Sequence, residues 1–221
     1  MAYRPTEKTL ARKAAVRDGL LAAALACVAR DGFKGLTIAA VAQQAGMATG
    51  AVYKHFESKA HLCAAVFCLA TEKEVAMVRA AATGDGTPAQ RLHHAIAVFA
   101  ERALRGRRLA YALIAEPVDT LVDVERLRFR HAYAEIFQQL VEDGMGCGAF
   151  VPQLAPVSAA ALVGVISEAL VGPLSWQRGG ATEPATAAEP ADAACATATA
   201  LVAAIQAFCL RAVGANTALR H

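Results

Sequence analysis

The stretch GMATGAVYKHFESKAHL, Gly46 to Leu62, gathers small residues first and then donors and a base. Thr49 offers a hydroxyl, and Gly50 and Ala51 leave a backbone that another molecule can approach closely. Tyr53, Lys54, His55 and Lys59 follow at spacings that put several donors on one side of a short helix. Such a set could serve catalysis, a metal, a membrane or a polyanion. Catalysis lacks its partners: the chain has no HExxH, no GxSxG and no paired carboxylates. A metal site lacks a pattern, because His61, Cys63 and Cys68 match no familiar zinc spacing and the adjacent His93 and His94 diverge on a helix. No metal site and no cofactor are expected.

Charge points to the polyanion. Residues 1–60 carry nine Lys/Arg (Arg4, Lys8, Arg12, Lys13, Arg17, Arg30, Lys34, Lys54, Lys59) and four acids (Glu7, Asp18, Asp31, Glu57), a balance of +5. The whole chain is only +3, so the remainder is mildly acidic. A basic head on an acidic body fits a nucleic-acid partner for the head.

The elements that must position these donors read as helices. The chain is 56% hydrophobic, rich in Ala and Leu, and without the alternation that marks strands, so an all-α fold is expected. A first helix is predicted over Leu10–Arg30, with Gly32 closing it in the left-handed conformation. Thr37 caps a second helix reaching Ala45, with Leu36 stapled to Val41, and Gly46 breaks it. A third begins at Ala48 or Thr49 and ends at His55, with Val52 and Phe56 inward. Two short helices meeting at a glycine, with a helix on either side, make a helix-turn-helix, whose second helix can lie in the DNA major groove with its first turn towards base edges.

Ser58 caps a long helix to about Ala82, and TPAQ, Thr87 to Gln90, is a capping box with proline at the first helical position. A short helix holding Tyr111 and Ile114 ends before Pro117. Asp119 or Thr120 caps the next, which runs to about Asp143. Two apolar helices, Pro156–Trp176 and Asp192–Val213, close the chain, joined by the low-complexity segment RGGATEPATAAEPAD. Two uncharged segments, Gly144–Ser167 and Ala193–Leu210, are apolar enough to raise a membrane span, but glycine and proline in the first and threonine and glutamine in the second favour burial between protein surfaces. The six cysteines have no CxxC pair and read as reduced thiols in a cytoplasmic protein.

The segment from Arg12 to about Phe67 resembles the DNA-binding domain of TetR-type transcriptional regulators. The likeness lies in Gly32–Phe33, Thr37, Ala45–Gly46, Gly50, the Tyr53–Lys54–His55–Phe56 run and Ser58–Lys59. It implies a three-helix DNA-binding domain over about 10–60 (helix-turn-helix about 37–55). A larger helical ligand-binding and dimerisation domain follows over 61–221, with a flexible linker at about 178–191, about nine helices in all. It further implies a homodimeric, ligand-responsive repressor on a palindromic operator, released by a small, largely apolar effector. Thr37, Ala48, Thr49, Gly50, Ala51, Tyr53, Lys54, His55 and Lys59 fall at or beside positions that usually touch DNA. Where Ala48 and Thr49 stand, the family commonly has Ser and a longer, often basic residue, which is expected to shift the helix cap to Thr49.

In the body, Phe99, Tyr111, Phe129, Tyr133 and Phe137 are candidate pocket lining, with Arg102 or Glu116 as polar anchor. Leu162, Val165, Ile166, Ala169 and Leu170, with Leu201, Ile205 and Phe208, are candidates for a four-helix dimer interface. The alternative is a DNA-binding regulator controlled by a protein partner or by cysteine redox.

Overall fold

The computed structural model describes residues 6–175 and 191–215, and only the backbone of 191–194. Trp176, the expected end of the penultimate helix, and residues 178–190 of the expected linker lie outside the described residues. Among the described residues there are nine α-helices and no strand: α1 Glu7–Gly35, α2 Ile38–Gln44, α3 Thr49–Tyr53, α4 Lys59–Ala82, α5 Pro88–Arg105, α6 Arg107–Ile114, α7 Thr120–Gly146, α8 Ala155–Ser175 and α9 Ala191–Ala212.

The first helix is longer than predicted at both ends. The Thr9 N–H donates to the Thr6 hydroxyl at 3.4 Å, and Glu7 sits in the first turn, so the helix starts at Glu7 and not at Leu10. At the other end Gly32 does not close it in the left-handed conformation. Its φ of 74° is paired with a ψ of −178°, which kinks the chain, and one more turn, Phe33–Gly35, is added before Leu36.

The other starts follow from local chemistry. Thr37 caps α2, with the Ala40 N–H donating to its hydroxyl at 3.1 Å, and Leu36 and Val41 are both fully buried. Ser58 caps α4 by accepting from the His61 N–H at 3.2 Å. The capping box of α5 is complete in both directions between Thr87 and Gln90. Asp119, not Thr120, caps α7 by accepting from the Leu121 N–H.

α4 is the shared element. It packs against α1, α5 and α7, with Leu62, Val66, Phe67, Val75 and Val78 buried in the shared core and Phe67 meeting Phe129 of α7. α8 lies along α7, and α9 docks on α5, where the buried Gln206 amide donates to the His93 carbonyl at 3.0 Å. Both α8 and most of α9 have the length and hydropathy of membrane-crossing helices, yet each lays one face on the body.

That arrangement corrects part of the expected interface. Leu162, Ile166, Leu170 and Ile205 are 4% exposed or less, because they face inward onto the chain's own core. Val165, Ala169 and Leu201 are half-buried, and Phe208 is 49% exposed. The outward faces are built from smaller residues: Ala160, Ala161 and Gly164 on α8, and Ala200, Ala203, Ala204 and Ala207 on α9.

Candidate nucleic-acid interface and effector pocket

The α2–α3 pair is held from behind. Val41, Val52 and Phe56 are buried, and the Arg17 guanidinium of α1 lies 5.0 Å from the centre of the Phe56 ring. Gly46 takes φ 65° at the turn, where a β-carbon would be strained, and the Met47 N–H returns to the Ala42 carbonyl at 2.8 Å.

The opposite side carries the predicted donors. Thr37, Ala48, Thr49, Gly50, Tyr53, Lys54 and Lys59 are exposed, and Ala51 and His55 are half-buried. Tyr53 exposes 57% of its surface, high for an aromatic with no external partner, whereas Phe56 exposes 4%. The structure therefore splits the Tyr53–Phe56 run into outward and inward members, as the spacing implied.

The cap of α3 differs from the expectation. Ala48 occupies the N-cap position, with φ −73° and ψ 147° and no side-chain hydrogen bond, and Thr49 is the first helical residue. Alanine cannot accept from the free N–H groups, so the first turn of α3 keeps bare donors pointing outward. The Thr49 hydroxyl is correspondingly not tied up as a cap.

A cavity of about 300 Å³ lies in the body between α4, α5, α6, α7 and α8. Its wall includes Phe67, Thr71, Val78, Phe99, Leu109, Leu113, Phe129, Tyr133 and Val163. Phe99 and Tyr133 stack tilted, 5.1 Å between centroids, and Phe67 meets Phe129 at 5.9 Å. Burial pushes the Tyr133 phenol up, so it stays protonated as a donor.

Of the seven predicted pocket residues, Phe99, Arg102, Phe129 and Tyr133 line this cavity, and Tyr111, Glu116 and Phe137 do not. Phe137 is fully buried core one turn beyond Tyr133 on α7, past the end of the cavity. Tyr111 is on the α6 face away from the cavity, and Glu116 reaches in the other direction, to the head. Its carboxylate accepts from the Phe33 N–H and the Lys34 N–H, each at 3.0 Å.

The cavity is also strongly charged, and of its charged lining only Arg102 is foreseeable from the sequence. Four arginines line it (Arg102, Arg105, Arg126, Arg130), against one carboxylate, Glu74. Arg102 forms a two-pronged pair with Glu74 at 2.6 and 2.9 Å, and that hydrogen bond raises its pKa further. Arg126 donates to the Leu113 and Glu116 carbonyls and pairs with Asp123. Arg105 and Arg130 are exposed and have no carboxylate partner among the described residues. Arginines on two helices some twenty residues apart give no sequence signal, because only the packing of α5 and α7 brings them to one opening.

Comparison with known proteins agrees with the head first. Residues 20–66 match the profile described as "Bacterial regulatory proteins, tetR family". Over 77 residues the chain is 36% identical to the HTH-type transcriptional repressor KstR of Mycolicibacterium smegmatis, an alignment covering 35% of this chain and 38% of that repressor. The whole fold is shared more widely. The fatty acid degradation regulator FadR from Bacillus halodurans superposes with a TM-score of 0.70 at 18% identity, over 93% of this chain and 97% of its own. FadR from Bacillus subtilis, solved in complex with stearoyl-CoA, gives 0.68 at 14% identity, over 89% and 98%. Residues 20–66 thus carry the DNA-binding domain of the TetR family of bacterial transcriptional regulators, and the chain as a whole shares the helical fold of these solved regulators.

Proposed function

We propose that the protein is a ligand-responsive repressor that binds a palindromic operator as a homodimer and is released by an amphipathic effector. The observation that carries this reading is the outward face of α2–α3, Thr37 with Ala48 to Lys54 and Lys59, on a head joined by a continuous α4 to a body with a lined cavity. On DNA, α3 enters the major groove. Thr49, Gly50 and Ala51 meet base edges, and Tyr53, Lys54, His55 and Lys59 meet phosphates. A twofold dimer sets its two α3 helices ~34–36 Å apart, one turn of the duplex.

The effector's chemistry follows from the cavity. Aromatic and aliphatic walls take an apolar body, and the unpaired Arg105 and Arg130 at the opening take an acidic end. A fatty acyl thioester has this shape, and the Bacillus subtilis regulator of similar fold binds stearoyl-CoA. Control by cysteine redox has less support. Burial pushes the Cys68 and Cys209 thiols up to about 11 and raises Cys63, away from the reactive thiolate.

Selection from sheared genomic DNA tests the reading. Enrichment of duplexes carrying inverted half-sites one helical turn apart, and their release by stearoyl-CoA but not by CoA alone, is the expected result. No enrichment over random duplex overturns it, and enrichment insensitive to acyl-CoA overturns the effector assignment.

A further inference from the structure

We infer that Arg126 and Glu116 form the link by which occupancy of the cavity reaches the DNA-binding head, an inference that rests on the effector reading above. The kink at Gly32 interrupts α1 and leaves the amides of the last turn without helical acceptors. The Glu116 carboxylate, from the turn after α6, fills that gap and accepts from both Phe33 and Lys34, 83 and 82 residues away in the chain. It acts as an N-cap supplied from the body. The fit is close: a β-carbon at Gly32 would lie 2.6 Å from Glu116 Oε2. Glycine is needed there for its φ of +74° and for the room the carboxylate occupies.

Glu116 is held in turn by a cavity residue. Arg126 Nη2 donates to the Glu116 carbonyl at 2.8 Å and Nε to the Leu113 carbonyl at 3.1 Å, while its guanidinium lies 5.7 Å from the centre of the Phe67 ring. One side chain therefore touches both the cavity and the backbone of the residue that caps the head. A ligand that draws Arg126 towards its own acid, or displaces Phe67, loosens the turn carrying Glu116. Phe33 and Lys34 are followed within three residues by the Thr37 cap of α2, so the head is released at its hinge. Room for this movement exists, because a cleft of about 300 Å³ lined by Phe33, Lys34, Lys59 and Pro117 lies beside the contact between the turn and the head. A second tie, Arg108 to the Asp31 carbonyl at 2.8 Å, keeps α6 against α1 while Glu116 lets go.

Hydrogen exchange of the ligand-free protein by NMR tests the link without operator or effector. Arg126→Met, which removes the donors to the Glu116 and Leu113 carbonyls and leaves the Glu116 carboxylate in place, is expected to speed exchange at Phe33 and Lys34 about tenfold or more, with the amides of Phe137 and Ile166 unchanged. Glu116→Gln, which keeps one acceptor and turns a donor towards the other amide, is expected to speed the same two amides. Arg128→Met, two residues along α7 and paired with Glu125 instead, is expected to leave them within about twofold of the parent. Unchanged exchange at Phe33 and Lys34 in Arg126→Met overturns the link, and so does acceleration spread evenly through the body. Failure to select an operator would sink the DNA reading while leaving this result standing.

Discussion

Gly50 lacks a β-carbon at a place where the fold does not ask for the lack. A β-carbon there would meet no protein atom within 4 Å, and its φ is not in the left-handed region. Inside a helix, glycine costs up to ~1 kcal/mol relative to alanine, so its presence in α3 calls for another reason. Close approach of DNA supplies one. Gly50→Ala is expected to leave the melting temperature unchanged or slightly raised while operator affinity falls tenfold or more. Melting followed by circular dichroism, alongside a gel-shift titration, separates the two, and undiminished binding would remove Gly50 from the interface. The lysines behave differently. Lys54→Ala or Lys59→Ala is expected to weaken binding on every sequence and to lower the slope of log affinity against log salt by about 1, with little change in stability. Val52, fully buried behind α3, gives the contrast: Val52→Ala is expected to cost on the order of 1 kcal/mol in unfolding titrations.

Among the elements, α5 shows how terminal chemistry and charge fix a helix against its neighbours. Its capping box satisfies the Thr87 and Gln90 amides, and Thr87→Ala is expected to lower stability by ~1 kcal/mol. Further along, Arg91 reaches across to Asp143 on α7 at 3.0 Å. The Gln139 amide and then Arg91 hold the Asp143 carboxyl below the usual carboxylate range. A depressed folded pKa means the contribution is full above the unfolded value and is lost as pH falls through the folded one. Acid titration of stability should thus show a loss below about pH 4 that is smaller in Asp143→Asn, and identical acid limbs in the two proteins would contradict the pairing. Caps such as Thr37, Ser58 and Thr87 were legible in the sequence because each acts within three residues of itself. Glu116 was not, since its partners lie some 80 residues away. In the sequence it reads equally as a pocket anchor, because a lone acid beside an apolar helix looks the same whichever way it points. Ala48 was missed for a related reason: the chain adopts cap geometry at the position after the turn even when that side chain cannot cap.

For the whole molecule, the question is how two heads come to be spaced for one duplex, and the exposed faces of α8 and α9 give the answer we propose. The large apolar side chains that the periodicity singled out, Leu162, Ile166, Leu170 and Ile205, are buried within the chain. What remains outside is rich in Ala and Gly, with Val157 and Glu168 on α8 and Phe208 on α9, 49% exposed, standing out of it. Small residues let helices approach closely, and a lone aromatic among them is the kind of anchor that dominates an interface. Twofold symmetry brings this patch against its own copy, so any charge introduced there is met by the same charge. Phe208→Arg is expected to sediment as a monomer at micromolar concentration, where the parent protein is expected to be a dimer. It should also bind the operator far more weakly and without cooperation, because the second head is no longer tethered beside the first. Leu162→Ala is the control for damage to the fold. It should lose ~2–5 kcal/mol of stability, the range for a truncated core leucine, yet sediment as a dimer wherever it is folded. A Phe208→Arg protein that stays dimeric and binds DNA like the parent would place the interface on some other face.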